Sequence, residues 1–114
     1  AVSDGHLVCL SIRLGKRASA AEAAAVLRAY QGPADSRGLP SSPSPVILVR
    51  DEPNRPQPRL DRLTGKGMTT VVGRVRPDSQ LDLRMVVLSH NTIRGAAGAA
   101  ILNAELMKMN GYLQ

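Results

Sequence analysis

Residues 68–89 read MTTVVGRVRPDSQLDLRMVVLS, and they decide the fold. Two runs rich in aliphatic residues, Met68–Arg76 and Leu81–Ser89, flank Pro77-Asp78-Ser79-Gln80. Proline and short polar residues interrupt both helix and ladder, so the stretch predicts two strands joined as a hairpin. Upstream, Val46-Ile47-Leu48-Val49 follows Pro45 as a continuous apolar run, the pattern of a buried strand. Leu7–Leu14 alternates instead. Val8, Leu10, Ile12 and Leu14 share one side, and Leu7, Cys9, Ser11 and Arg13 the other.

Between these strands, Ser19-Ala20-Ala21-Glu22 has the spacing of a capping box, which predicts a helix from about Ala20 to Tyr30. Gln31-Gly32-Pro33 ends it, and residues 35–45 are too rich in Pro, Ser and Gly to continue it. Residues 51–67 carry three prolines and alternating charge and are expected as a long loop, functional or interface-forming. The order strand, helix, strand, strand, strand, helix argues an α+β fold, a mixed/antiparallel sheet with helices on one face.

The last of these helices is expected over about Thr92–Met109, capped by Asn91 or Thr92. Its first turns, Gly95-Ala96-Ala97-Gly98-Ala99-Ala100, have almost no side chains. Such a start exposes backbone N–H groups and admits another surface at short range. A large partner is expected there.

Composition narrows the function classes. The 114 residues suffice for one modest core, but aromatics are 2%, so the core must be built from Val, Leu, Ile, Met and Ala. The net charge of +6 is scattered. Its densest group, Arg50, Arg55, Arg59, Arg62 and Lys66, is interrupted by Asp51, Glu52 and Asp61 and has no interleaved aromatics. It reads as solvated loop charge rather than a nucleic-acid surface. Gly95 and Gly98 have the spacing of a GxxG loop but lie in a helix without basic residues between them. The single cysteine, Cys9, excludes an internal disulfide and fits a reducing, cytoplasmic compartment. No apolar run approaches the ~20 residues of a membrane span, and no charged leader with a cleavage site occurs. No membrane partner and no metal site are expected. Strand-like sequence almost from the first residue, without an initiator Met, points to a piece of a longer polypeptide.

Two short constellations can carry chemistry. In Ser3-Asp4-Gly5-His6, Gly5 permits an unusual backbone turn and His6 stands at the mouth of the first strand. From the residues alone, His6 is either an acid/base group or a surface or hydrogen-bonded structural histidine. At the bare helix start, Asn91 offers an amide donor and an acceptor; capping is its simplest role.

The stretches AVSDGHLVCLSIRL, GLPSSPSPVILVRDEPNRPQPRLDR and MTTVVGRVRPDSQLDLRMVVLSHNTIRGAAGAAILNAELM resemble the C-terminal third of aspartate-semialdehyde dehydrogenase. The motifs SDGH, RPQPRLDR and HNTIRGAAGAA, in that order, are similar to the fungal and archaeal branch. The resemblance implies a glyceraldehyde-3-phosphate-dehydrogenase-like C-terminal domain. Residues 1–90 would be part of the catalytic and dimerisation domain, and 91–114 a helix returning to an NADP-binding domain. The implied reaction converts L-aspartyl-4-phosphate to L-aspartate 4-semialdehyde with NADPH through a cysteine thioester, on the route to lysine, threonine, methionine and isoleucine. It implies a homo-oligomer, dimer or tetramer, with a small-molecule substrate.

By the same resemblance, His6 is the acid/base residue and Asn91 contacts the nicotinamide end of NADP. A thiolate nucleophile needs such an imidazole to take its proton. The family's nucleophilic cysteine, Gly-rich dinucleotide loop and substrate-clamping arginine all belong upstream of these residues. Cys9 does not match the nucleophile and is assigned a structural role; Arg13 and Arg94 do not replace the arginine. His90 has no carried-over role beyond hydrogen bonding. The fragment alone is therefore expected to be inactive and to bind NADP poorly. The alternatives are a non-catalytic homodimerisation module, using the free sheet face and residues 51–67, and a fragment of the related malonyl-CoA reductase.

Overall fold

The structure, a computed structural model, describes residues 2–113. Its strands are β1 (His6–Ile12), β2 (Ile47–Arg50), β3 (Thr70–Pro77) and β4 (Leu83–Ser89), and its helices α1 (Ala20–Ala29), α2 (Pro58–Asp61) and α3 (Gly98–Met109). They form one four-stranded mixed sheet in the order β1-β4-β3-β2. β4 is antiparallel to β1, with His6 opposite Ser89, and antiparallel to β3, with Val72 opposite Val87. β2 adds to β3 in parallel, with Val49 opposite Val72. The hairpin and the α+β class expected from residues 68–89 are both present.

The central strands carry the core. Val71, Val72, Leu83, Met85, Val86 and Leu88 are buried there. α1 lies across one face, its Ala24 joining Val49, Val72 and Met85 in one cluster rimmed by Ile12, Leu27 and Val87. Alanine at that contact lets the helix axis approach the sheet closely. The capping box forms as its spacing predicts: Ser19 Oγ accepts from the Glu22 N–H at 3.2 Å, and the Glu22 carboxylate accepts from the Ser19 N–H at 2.7 Å.

Residues 51–67 are not a plain loop. They hold the one-turn helix α2 and a 3₁₀ turn at Thr64–Gly67, and they cover the sheet face opposite α1. The Arg55 carbonyl and the Pro56 ring occupy the space a Cβ would need at Gly73, so glycine there is what lets the segment lie on β3. Prolines read as breakers mislead here because Pro58 starts α2, where its missing N–H costs nothing. Asp61 closes the turn. Fully buried, it accepts from Arg55 Nε at 2.7 Å, from Arg55 Nη2, and from the Gln57 N–H at 2.7 Å, with Arg50 Nε 3.3 Å away.

The last helix also departs from expectation. It opens with a π-turn at Ile93–Ala97, in which Gly95 N–H donates to the His90 carbonyl at 2.9 Å and Ala97 N–H to Thr92 at 3.2 Å. Neither Asn91 nor Thr92 caps it through a side chain. α3 itself has no buried residue, and Ile101, Met107 and Met109 are exposed. It is held at two points: Gly98 packs on Met68 Sδ and Ile93, and Glu105 accepts from the Ser41 N–H at 2.9 Å and Oγ at 2.7 Å. Part of the small-residue pattern thus serves this chain's own packing, while Gly95, Ala96 and Ala97 remain exposed. Among the described residues, no helix is long and apolar enough to cross a membrane.

Candidate functional site

One end of the sheet brings the two sequence constellations together. His6 opens β1 directly opposite Ser89, the last residue of β4, so the turn before β1 and the turn after β4 are neighbours. They are also bonded. The Gly5 N–H donates to Asn91 Oδ1 at 2.9 Å, across 86 residues of sequence.

Gly5 makes this closure sterically accessible. Its φ is +96°, in the region that strains residues with a Cβ. An added Cβ would stand 3.3 Å from the Leu88 side chain, 3.4 Å from Pro58 and 3.5 Å from Arg62. The turn Ser3–Gly5 is therefore wedged against β4 and the 51–67 segment, and it delivers His6 to the surface in a fixed position. His6 and Asn91 are both exposed.

Asn91 is not a cap. Its carboxamide oxygen serves Gly5, and among the described residues its Nδ2 meets no acceptor, which leaves two donors for an incoming carbonyl. Capping falls to His90, for which the sequence implies only hydrogen bonding. His90 is 6% exposed; its Nδ1 accepts from the Ile93 N–H at 3.3 Å and lies 3.2 Å from Thr92 Oγ1. A histidine at a helix start is a weak capping signal beside an adjacent Asn and Thr, so nothing in the sequence singled it out. Cys9 lies three residues beyond His6 on β1 and is exposed. Its alternation places it on the opposite face of the strand from His6.

Known proteins resemble this chain in sequence and fold. The family model for the semialdehyde dehydrogenase dimerisation domain matches residues 1–94. The chain is 51% identical over 117 residues to an aspartate-semialdehyde dehydrogenase of Aspergillus fumigatus, covering 98% of this chain and 32% of that protein. It is 52% identical over 106 residues to one of Archaeoglobus fulgidus, covering 93% and 30%. The crystal structure of aspartate semialdehyde dehydrogenase with NADP from Candida albicans superposes with a TM-score of 0.84 at 50% identity, over 96% of this chain and 31% of that one. The chain spans about a third of the length of the curated relatives it matches. With a mixed four-stranded sheet, a family model over most of its length and relatives at half identity, the chain belongs to the semialdehyde dehydrogenase dimerisation-domain family.

Proposed function

We propose that these residues form the dimerisation-domain part of an NADP-dependent aspartate-semialdehyde dehydrogenase, with His6 as acid/base residue and Asn91 at the nicotinamide end of the cofactor. The observation that carries this reading is the Gly5–Asn91 hydrogen bond, which ties the SDGH and HNTIRGAAGAA motifs into one exposed end of the sheet. A site so open needs its remaining walls from elsewhere. The exposed π-turn and α3 supply the surface on which a cofactor domain can rest, in keeping with a division at residues 90 and 91.

His6 holds and moves protons in this reading. Its imidazole takes the proton of the nucleophilic thiol supplied by another segment, and later exchanges a proton with the oxygen of the tetrahedral adduct on that sulfur. The free Nδ2 of Asn91 suits a carboxamide oxygen such as that of nicotinamide, and the dinucleotide when bound supplies the hydride. Cys9 is set apart from this end and takes no part. The oligomer is a homodimer or a tetramer built from it, and the single thiol fits a reducing cytoplasm.

The test is His6→Asn in the intact dehydrogenase, assayed with aspartate semialdehyde, phosphate and NADP. Turnover should fall by about 10²–10⁴-fold while the KM for NADP changes little. Unchanged turnover would remove His6 from the acid/base role.

A further inference from the structure

We propose that His90 is the positioning residue of this site, acting through the acceptor lone pair of its Nδ1. The inference rests on the functional reading above only for its kinetic consequence. The geometry stands by itself. His90 is buried and is the first residue after β4, and three bonds radiate from it into the following turn. Nδ1 accepts from the Ile93 N–H at 3.3 Å, lies 3.2 Å from Thr92 Oγ1, and the main-chain carbonyl accepts from Gly95 at 2.9 Å.

These bonds set which ring nitrogen accepts. A backbone N–H has only a proton to offer, so Nδ1 presents its lone pair and Nε2 carries the N–H. The Thr92 hydroxyl then serves as a second donor to the same nitrogen. The turn from 90 to 95 is thereby closed on a buried, rigid side chain, and Asn91 is carried on its outer rim. Asn91 in turn holds Gly5 at 2.9 Å, and Gly5 is followed by His6. Asn91 is exposed and is held by the turn that His90 closes. His6 is held from two sides, by the packing of Gly5 against Leu88, Pro58 and Arg62 and by the bond from Gly5 to Asn91, and His90 is the buried group behind the second of these.

Residue type makes this separable from simple packing. Asn places its Oδ1 where His has Nδ1; Gln places its acceptor nearer the Nε2 position. His90→Asn should therefore keep the bond to Ile93, and His90→Gln and His90→Ala should lose it. In the intact protein, peptide-level hydrogen exchange should show faster exchange at residues 3–7 and 91–97 in the Gln and Ala variants, with wild-type protection in the Asn variant. Turnover should fall about tenfold to a hundredfold in the Gln and Ala variants, and should be restored to within a few-fold by Asn. Equal loss in all three variants would overturn the proposal in favour of ring volume alone, and so would the absence of any change in exchange. If the wild-type protein lacks dehydrogenase activity, the functional reading fails while the exchange pattern still decides the role of His90.

Discussion

Asp61 shows how one residue holds a segment that neither propensity nor hydrophobic pattern would fold. Burial disfavours its charge, but the hydrogen bonds from Arg55 and the Gln57 N–H, with the Arg55 and Arg50 charges, outweigh burial and hold its carboxyl below the ordinary value of 3.8. Because the folded value lies below the unfolded one, the stabilisation is complete above the unfolded value and disappears as pH falls through the folded one. Removing the carboxylate leaves Arg55 half-buried and unpaired, the costly way to break such a cluster. Asp61→Asn should lower stability at neutral pH by about 3 kcal/mol. It should also flatten the decline in stability below pH 3.8. Denaturant titrations across the acid range measure both, and a variant curve parallel to wild type in acid would show that another group governs that limb.

At the scale of elements, what the sequence revealed depended on how local the deciding contacts were. The capping box of α1 lies within four residues and was legible, as were β1 as a strand and the hairpin of β3 and β4, although β1 buries neither face in alternation. α2 was not, because Asp61 reaches Arg55 and Arg50 only after the chain has folded back on the sheet. The π-turn was hidden partly for the same reason. Gly98 packs on Met68, far away in sequence, while the His90–Ile93 bond is local but uses a histidine acceptor, which is a weak capping signal. The two site motifs could be picked out one by one, but their bond across 86 residues belongs to the sheet register. α3 is the element least specified locally, since none of its residues is fully buried and it is tethered by Glu105 to Ser41. Glu105→Ala should therefore loosen α3 selectively. A lost carboxylate hydrogen-bond pair is worth roughly 2 kcal/mol of local opening, about thirtyfold in exchange rate. Hydrogen exchange should show this over residues 98–109 with β3 and β4 unchanged; uniform protection across α3 would mean that Gly98 alone anchors it.

At the scale of the whole molecule, the shape does not match a self-sufficient domain. Its radius of gyration is 15.4 Å, with extents of 52 × 35 × 19 Å, against about 13 Å for a compact chain of this length. Its accessible surface is 7466 Å², where a globular monomer of this mass exposes about 6,000 Å². The excess is comparable to what one or two ordinary interfaces remove, at about 800 Å² per partner. Two surfaces contribute to it. One is α3 with its bare start; the other is β1, an edge strand whose Leu7, Val8 and Leu10 are all exposed. An apolar edge strand invites a second copy. Light scattering of the chain over a concentration series should accordingly show dimers or larger species. Leu7→Asp and Leu10→Asp, whose side chains leave β1 on opposite faces, should shift the mass towards the monomer unequally and so identify the face in contact. A strict monomer at the highest soluble concentration would mean that β1 is covered by another domain of the same polypeptide instead of by a second copy.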